Sequence, residues 1–126
     1  MVDSAIEARF TTLGYRLLLA EDEDGVWVAS ARRLDTGDPF GPPVPGDGPD
    51  EAAEMLARWL AWQQAHAGAL AALQAAEGQY NRLVAESALG SGGDHAGEGR
   101  LRAALAEVEA SRNQLDLVRG QRPWPN

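Results

Sequence analysis

The chain has 126 residues, enough for one small domain with a modest core, and much of its apolar content is alanine, which buries little area per residue. Its formal net charge of -8 argues against binding to the phosphate backbone of nucleic acids, because lysine and arginine supply that affinity. The absence of cysteine excludes disulfides, thiolate zinc sites and nucleophilic cysteine chemistry. No stretch approaches the ~18 apolar residues of a membrane span, so we expect a soluble cytoplasmic protein.

Residues 12–20 and 26–32 predict the two strands of a β-hairpin. The first segment is almost continuously apolar, and the second is rich in β-forming side chains. Asp24-Gly25 between them supplies the positive φ that tight turns require. A two-stranded hairpin is marginal in water, so it must lie on a helix, gain a third strand or pair with another chain. Tyr15 and Trp27 are its expected anchors.

Residues 33–48 carry four prolines and four glycines, which exclude a helix and interrupt any β-ladder. This composition predicts an ordered connection between the hairpin and the following helix. A short edge strand at residues 40–44 is the alternative.

The segment from Pro49 to about Leu89 predicts a single helix of roughly 40 residues. Pro49 suits the first helical position, and Asp50 and Glu51 lie where the helix macrodipole favours negative charge. Many alanines along the helix permit the close approach of a neighbouring helix. Apolar positions three and four residues apart predict an interface formed by Met55, Leu56, Trp59, Trp62, His66, Leu70 and Leu73.

A glycine-rich break at residues 89–94 precedes a second predicted helix, which ends near Arg119 and Gly120. The short connection makes the two helices antiparallel neighbours, but the second is only about half as long as the first. The β-hairpin or a second copy of the chain must therefore cover the first part of the long helix. The tail, residues 121–126, contains Trp124, which either docks on a partner or stays free.

These elements predict an α+β, mostly α fold, in which an N-terminal β-hairpin packs on a long antiparallel helical hairpin. We expect a single domain, residues 1–126, divided into the hairpin and connection (8–48), the helical hairpin (49–120) and the tail (121–126).

No residue pattern predicts a catalytic, metal or cofactor site. The acidic turn at residues 21–24 lacks the ligand spacing of an EF-hand loop. His66, on the apolar stripe, favours a core or interface position over catalysis, and its protonation would loosen an assembly at mildly acidic pH. Trp59 and Trp62 favour a core or interface over a small-molecule pocket. An enzyme that uses the acidic turn with His66 or His95 ranks behind the non-enzymatic interpretations.

Three segments follow one another between residues 15 and 62: Tyr15-Arg-Leu-Leu-Leu, Glu23-Asp24-Gly25-Val26-Trp27-Val28, and Gly46-Asp47-Gly48-Pro49-Asp50-Glu51-Ala52-Ala53. Their order resembles the HicB-type antitoxin domain, in which two strands lead through a proline- and glycine-containing connection to Gly-Asp-x-x-x-Glu-Ala before a helix. The Pro-x-Leu-Pro-Gly segment of that family is absent, and no basic DNA-binding element follows. The resemblance implies a toxin-neutralising role but no repressor role.

We therefore expect a non-enzymatic, acidic interaction protein that self-associates, as a dimer, through the alanine-rich face of its helical hairpin. The alternative is a binding module. In that case Tyr15, Trp27 and Trp124 contact a basic partner such as a toxin, or a small ligand binds at the Trp59 and Trp62 end. We expect no cofactor, nucleic acid or membrane as partner.

Overall fold

The computed structural model describes residues 3–90 and 95–123 of the chain. It confirms the predicted α+β, mostly α fold, with both the β-hairpin and the antiparallel helical hairpin. Its elements are α1 (Ser4–Leu13), β1 (Tyr15–Glu21), β2 (Trp27–Arg33), β3 (Pro39–Gly46), α2 (Pro49–Gly90) and α3 (His95–Gly120).

The contacts within the chain divide it into two compact units. The single domain expected from the sequence stays a prediction. The N-terminal unit contains the residues up to Gln63, and the C-terminal unit is Gln64–Arg122. The long helix α2 contributes residues to both units. Each unit has its own set of buried side chains.

Helix α1 corrects the sequence prediction, which placed Thr12 and Leu13 in the first strand. The Asp3 carboxylate caps the helix by accepting a hydrogen bond from the backbone N–H of Ala5 at 3.0 Å. Gly14, with φ of 95°, ends the helix in the left-handed conformation that glycine adopts without steric cost. The continuous apolar run after residue 12 therefore belongs to the end of a helix and the start of a strand.

The three strands form one antiparallel sheet in the order β1, β2, β3. Leu17 pairs with Ala31 and Leu19 with Ala29, so alternate residues of β1 and β2 face the same side of the sheet. The third strand, β3, extends the edge strand that the sequence offered as an alternative, and a register shift interrupts its pairing with β2. The third strand satisfies the need of the hairpin for a neighbour.

The core of the N-terminal unit lies between the sheet on one side and two helical segments, α1 and the first part of α2, on the other. Its largest fully buried side chains are those of Phe10, Val44, Leu56 and Leu60. Small residues of the central strand and of α2 are also fully buried and allow close packing of the helix on the sheet. They are Ala29, Ala31, Ala52, Ala53 and Ala57.

The C-terminal unit pairs the second part of α2 with α3 as an antiparallel helical hairpin. Its buried and half-buried positions recur in alternating steps of three and four residues, as in a two-stranded coiled coil. These positions, called the seam below, are His66, Ala69, Leu73, Ala76, Tyr80 and Leu83 on α2 and Leu101, Ala104, Val108, Ser111, Leu115 and Val118 on α3. None of the described helices has both the length and the apolar composition needed to cross a membrane.

An ion pair joins α1 to the first part of α2 in the N-terminal unit. Glu54 accepts hydrogen bonds from Arg9 on α1 and, at 3.3 Å, from Arg58 on α2. The hydrogen bond from Arg9 is the largest cause that lowers the pKa of Glu54 below its usual value; burial opposes this effect and Arg58 adds to it.

Replacing Glu54 with glutamine is expected to remove a pH-dependent part of the stability. Because the pKa is lower in the folded state, the stabilisation is complete above the unfolded-state value of about 4.3 and is lost as the pH falls through the folded value. Urea unfolding of both proteins should therefore give a free-energy difference that shrinks from about pH 7 to about pH 3. Glu51→Gln, an exposed position in the first turn of α2, controls for the charge change. A difference for Glu54→Gln that is constant with pH contradicts this role.

Candidate functional site

The predicted interface residues of the first part of α2 lie mainly in the core of the chain itself. Leu56 is fully buried, Trp59 is 8% exposed, and Met55 is half-buried against the same cluster. The sequence did not decide whether the β-hairpin or a second copy of the chain covers this part of the helix. The sheet covers Leu56 and Trp59, which are therefore not available to a partner without local unfolding.

Trp59 is held by an aromatic neighbour and a close backbone contact. Its ring centroid lies 6.1 Å from that of Phe40, and a Cβ atom built on Gly41 would approach its Cζ3 to 2.9 Å. Its indole Nε1 is buried and has no hydrogen-bond partner among the described residues. Leaving such a donor unpaired costs about 1 to 3 kcal/mol, so Trp59 contributes through its apolar ring.

Tyr15 and Trp27, the predicted partner-binding residues, also pack against the core of the N-terminal unit. The Tyr15 ring stacks on Phe40 with centroids 5.2 Å apart, which the small side chain of Ala31 on the strand between them permits. Both residues remain half-buried, so each keeps part of its surface exposed to solvent. Trp124 lies outside the described residues.

The predicted interface residues of the second part of α2 divide between the seam and one side of it. His66 and Leu73 are half-buried seam positions, so they pack between α2 and α3 of the same chain. Leu70 lies beside the seam, and it is also half-buried. Trp62, at the end of the N-terminal unit, is half-buried as well.

One side of the seam carries exposed apolar side chains. The ion pair between Glu77 Oε2 and Arg112 Nη2, at 3.8 Å, shows which side of α2 meets which side of α3. Val84 is seven residues after Glu77 and Leu105 is seven residues before Arg112, so the antiparallel pairing places them together two turns away. Both are 42% exposed.

Leu70, seven residues before Glu77, extends the same side in the other direction. We call this side the apolar flank, and it consists of Leu70, Val84 and Leu105. The interface predicted from the sequence included Leu70 but not Val84 or Leu105. A heptad assignment that combined both helices would have found them, because they occupy the positions that flank a coiled-coil seam.

Several surface clefts are formed by residues that the structure describes. A cleft of about 320 Å³ lies between α1 and α2 and is lined by Ala5, Ala8, Arg9, Thr12, Leu13, Ala57 and Ala61. A second, of about 310 Å³, is lined by Glu7, Thr11, Tyr15, Arg16, Leu17 and Leu34. A third, of about 500 Å³, lies in the C-terminal unit and is lined by Gln79, Leu83, Glu86, Arg100, Ala103 and Ala104. Trp59 and Trp62 line none of the three, so these clefts do not provide the predicted small-ligand pocket.

The acidic turn between β1 and β2 is organised by its own backbone. The Asp22 carboxylate accepts hydrogen bonds from the backbone N–H groups of Asp24 and Val26 at 2.8 and 2.9 Å, and Gly25 has φ of 80°. Asp22 therefore shapes the turn. Within residues 3–90 and 95–123, no three histidine, aspartate or glutamate side chains are grouped closely enough to hold a metal ion.

The charge of the chain is distributed unequally between the two units. The first 63 residues contain twelve acidic residues and five arginines, a formal charge of -7. The remaining residues contain seven acidic residues and six arginines, a formal charge of -1. The N-terminal unit therefore repels a copy of itself and attracts cations, whereas the C-terminal unit opposes self-association far less.

The chain shows no match to any protein-family model, to curated proteins or to solved structures. The resemblance of residues 15–62 to the HicB-type antitoxin domain stays a prediction.

Proposed function

We propose that this protein is a non-enzymatic assembly protein of the cytoplasm, and that its C-terminal unit binds a second copy of the chain along the apolar flank. The observation that carries the proposal is the adjacent exposure of Val84 and Leu105, on the side of the seam that Glu77 and Arg112 mark. Exposed apolar side chains beside a coiled-coil seam are typical of helices that join a larger bundle.

The composition of the seam supports this proposal. Four of its twelve positions carry small residues, namely Ala69, Ala76, Ala104 and Ser111. Such a seam buries little apolar area, so two helices alone gain limited stabilisation from it. A second hairpin packed on the apolar flank would complete a four-helix bundle and bury Val84 and Leu105.

The charge distribution favours a second copy as the occupant. The C-terminal unit has a formal charge of -1 and mixes arginine with acidic residues along both helices, so two copies meet with little net repulsion. Obligate interfaces are more hydrophobic than transient ones, and the exposed valine and leucine of the apolar flank match that character.

Single-cysteine cross-linking tests which surface meets the second copy. The natural chain has no cysteine, so Leu105→Cys introduces one reactive thiol. A flexible bis-maleimide is expected to convert this variant to covalent dimer in high yield. Leu117→Cys is the matched control, because Leu117 is also an exposed leucine of α3, at 62%, but lies off the apolar flank. Equal yields from the two variants would contradict an interface at Leu105.

A second candidate function is binding of a basic protein partner by the N-terminal unit. The formal charge of -7 on the first 63 residues favours it, because an acidic surface steers and selects basic partners. Co-purification of a basic protein encoded beside this one would support it. The association should weaken when the exposed acidic residues of the turn at 21–24 are replaced by their amides.

A further inference from the structure

We propose that the exposed edge of β1 binds an extended, basic segment of a partner protein as a fourth strand of the sheet. This inference concerns a surface of the N-terminal unit and is independent of self-association. It rests on the second candidate function, because it assigns the site and the binding mode of the basic partner.

The pairing of β1 with β2 shows which backbone groups lie on the exposed edge. Leu34 N donates to Gly14 O at 3.0 Å, and Asp22 N donates to Val26 O at 2.9 Å. Hydrogen-bonded pairs alternate along an antiparallel ladder, so the even-numbered residues of β1 direct their N–H and C=O groups toward β2. The odd-numbered residues direct theirs away from the sheet. The free edge, as we call it, consists of the backbone groups of Tyr15, Leu17, Leu19 and Glu21.

The two edges of the sheet differ in their ability to accept a strand. Strand β3 contains four prolines, which lack the N–H group that a ladder requires. Strand β1 contains none, and no hydrogen bond among the described residues occupies its free edge. Natural proteins commonly protect sheet edges with prolines, and here that protection is confined to β3. A sheet edge with unpaired N–H and C=O groups is the surface to which extended peptides add as strands.

Side chains of β1 also lack a neighbouring strand along the free edge. Leu17 and Leu19 point toward the core, yet both remain half-buried, whereas their cross-strand partners Ala31 and Ala29 on the central strand are buried. Leu18 on the opposite face is half-buried as well. An added strand with apolar residues at its centre would cover the remaining exposed surface of these leucines.

The charges around the free edge identify the chemistry of the added strand. Exposed Glu21, Glu23 and Asp24 lie at the end of β1, and Glu7 lines the 310 Å³ cleft beside its start. Arg16 places one positive charge near the start, so the acidic turn gives the stronger attraction. The formal charge of -7 disfavours the edge of a second copy as the occupant. An apolar segment with arginine or lysine at its ends fits both features.

The probe is the acetylated and amidated peptide Arg-Arg-Val-Ile-Val-Arg-Arg, added to the full-length chain. Amide hydrogen exchange of the free protein should be fast at Tyr15, Leu17 and Leu19 and slow at the even-numbered positions of β1. Saturation with the peptide is expected to slow exchange at the three odd-numbered positions. A peptide with proline in place of isoleucine, and one with glutamate in place of arginine, should both bind more weakly.

The variant Glu21→Pro removes one N–H of the free edge without deleting a core side chain, because Glu21 is exposed at the end of β1. Glu21→Gln is the matched control for the lost charge. Proline is expected to weaken peptide binding about fivefold relative to glutamine, as the loss of one backbone hydrogen bond implies.

Three results would overturn the proposal. The first is peptide binding that leaves exchange at Tyr15, Leu17 and Leu19 unchanged, which would show a basic partner bound at another acidic surface. The second is no binding of the basic peptide to the natural chain, which would also remove support for the second candidate function. The third is slow exchange at the odd-numbered positions that appears with rising concentration of the free protein, which would show that a second copy occupies the edge.

Discussion

Replacing Gly46 with alanine is expected to destabilise the N-terminal unit by about 3 kcal/mol, at the upper end of the range for overpacking a core. A Cβ atom on Gly46 would lie 2.7 Å from the backbone nitrogen of Ala52 and 2.9 Å from its Cα. These atoms belong to the buried first turns of α2, so the clash cannot be relieved by rotation of a side chain. Either the end of β3 or the start of α2 must move.

The control for this substitution is Gly48→Ala, two residues further along the same connection. A Cβ atom on Gly48 has no atom within 4 Å, and Gly48 does not have a positive φ. Urea unfolding followed by tryptophan fluorescence reports on this unit, because Trp59 is buried in its core and Trp27 packs against that core. We expect little loss of stability for Gly48→Ala. A similar loss for both variants would contradict the close contact between β3 and α2.

Replacing Leu105 with glutamate is expected to weaken self-association by about 100-fold or more. In the proposed dimer this substitution buries a carboxylate without a partner, which costs several kcal/mol, and about 2.7 kcal/mol corresponds to a factor of 100. In the single chain Leu105 is 42% exposed, so the helical hairpin itself should fold as before. Sedimentation velocity measures the association, and circular dichroism measures the helix content.

Leu117→Glu provides the matched control, since it adds the same charge to α3 outside the apolar flank. Leu73→Glu does not separate the two effects, because Leu73 is a seam position and its replacement would disrupt the hairpin within one chain. Loss of association in Leu117→Glu and Leu105→Glu alike would show that net charge, and not the apolar flank, governs the assembly.

Much of the fold could be predicted from local sequence signals. Proline, the acidic first turn and continuous helical periodicity identified α2 from Pro49, and the structure ends it at Gly90, within a residue of the prediction. Asp24-Gly25 identified the turn of the hairpin. These signals act through local backbone conformation, so they do not depend on contacts with distant parts of the chain.

The elements that the sequence prediction missed, α1 and the full length of β3, depend on contacts between residues that are distant in the sequence. Helix α1 is short, and its core residue Phe10 shows its role only when it packs against the sheet and α2. Its capping residues, Asp3 and Gly14, were the signal that could have identified it. The prolines of β3 disfavour a strand, so the sequence indicates at most a short one at residues 40–44, and pairing with β2 along one edge outweighs that preference.

The candidate interface was only partly predictable for a related reason. The apolar stripe of α2 was evident, but periodicity along one helix does not show which partner covers each part of it. Leu56 and Trp59 are covered by the sheet of the same chain. The exposed pair formed by Val84 and Leu105 depends on the register between α2 and α3, which the Glu77–Arg112 ion pair reveals.

The mass of the native protein in solution shows whether the chain self-associates. Sedimentation equilibrium of the unmodified chain over a wide concentration range is expected to give a dimer, twice the chain mass of 13.4 kDa. Leu105→Glu should give the mass of one chain under the same conditions. A natural chain that remains at 13.4 kDa at every concentration would contradict self-association through the apolar flank.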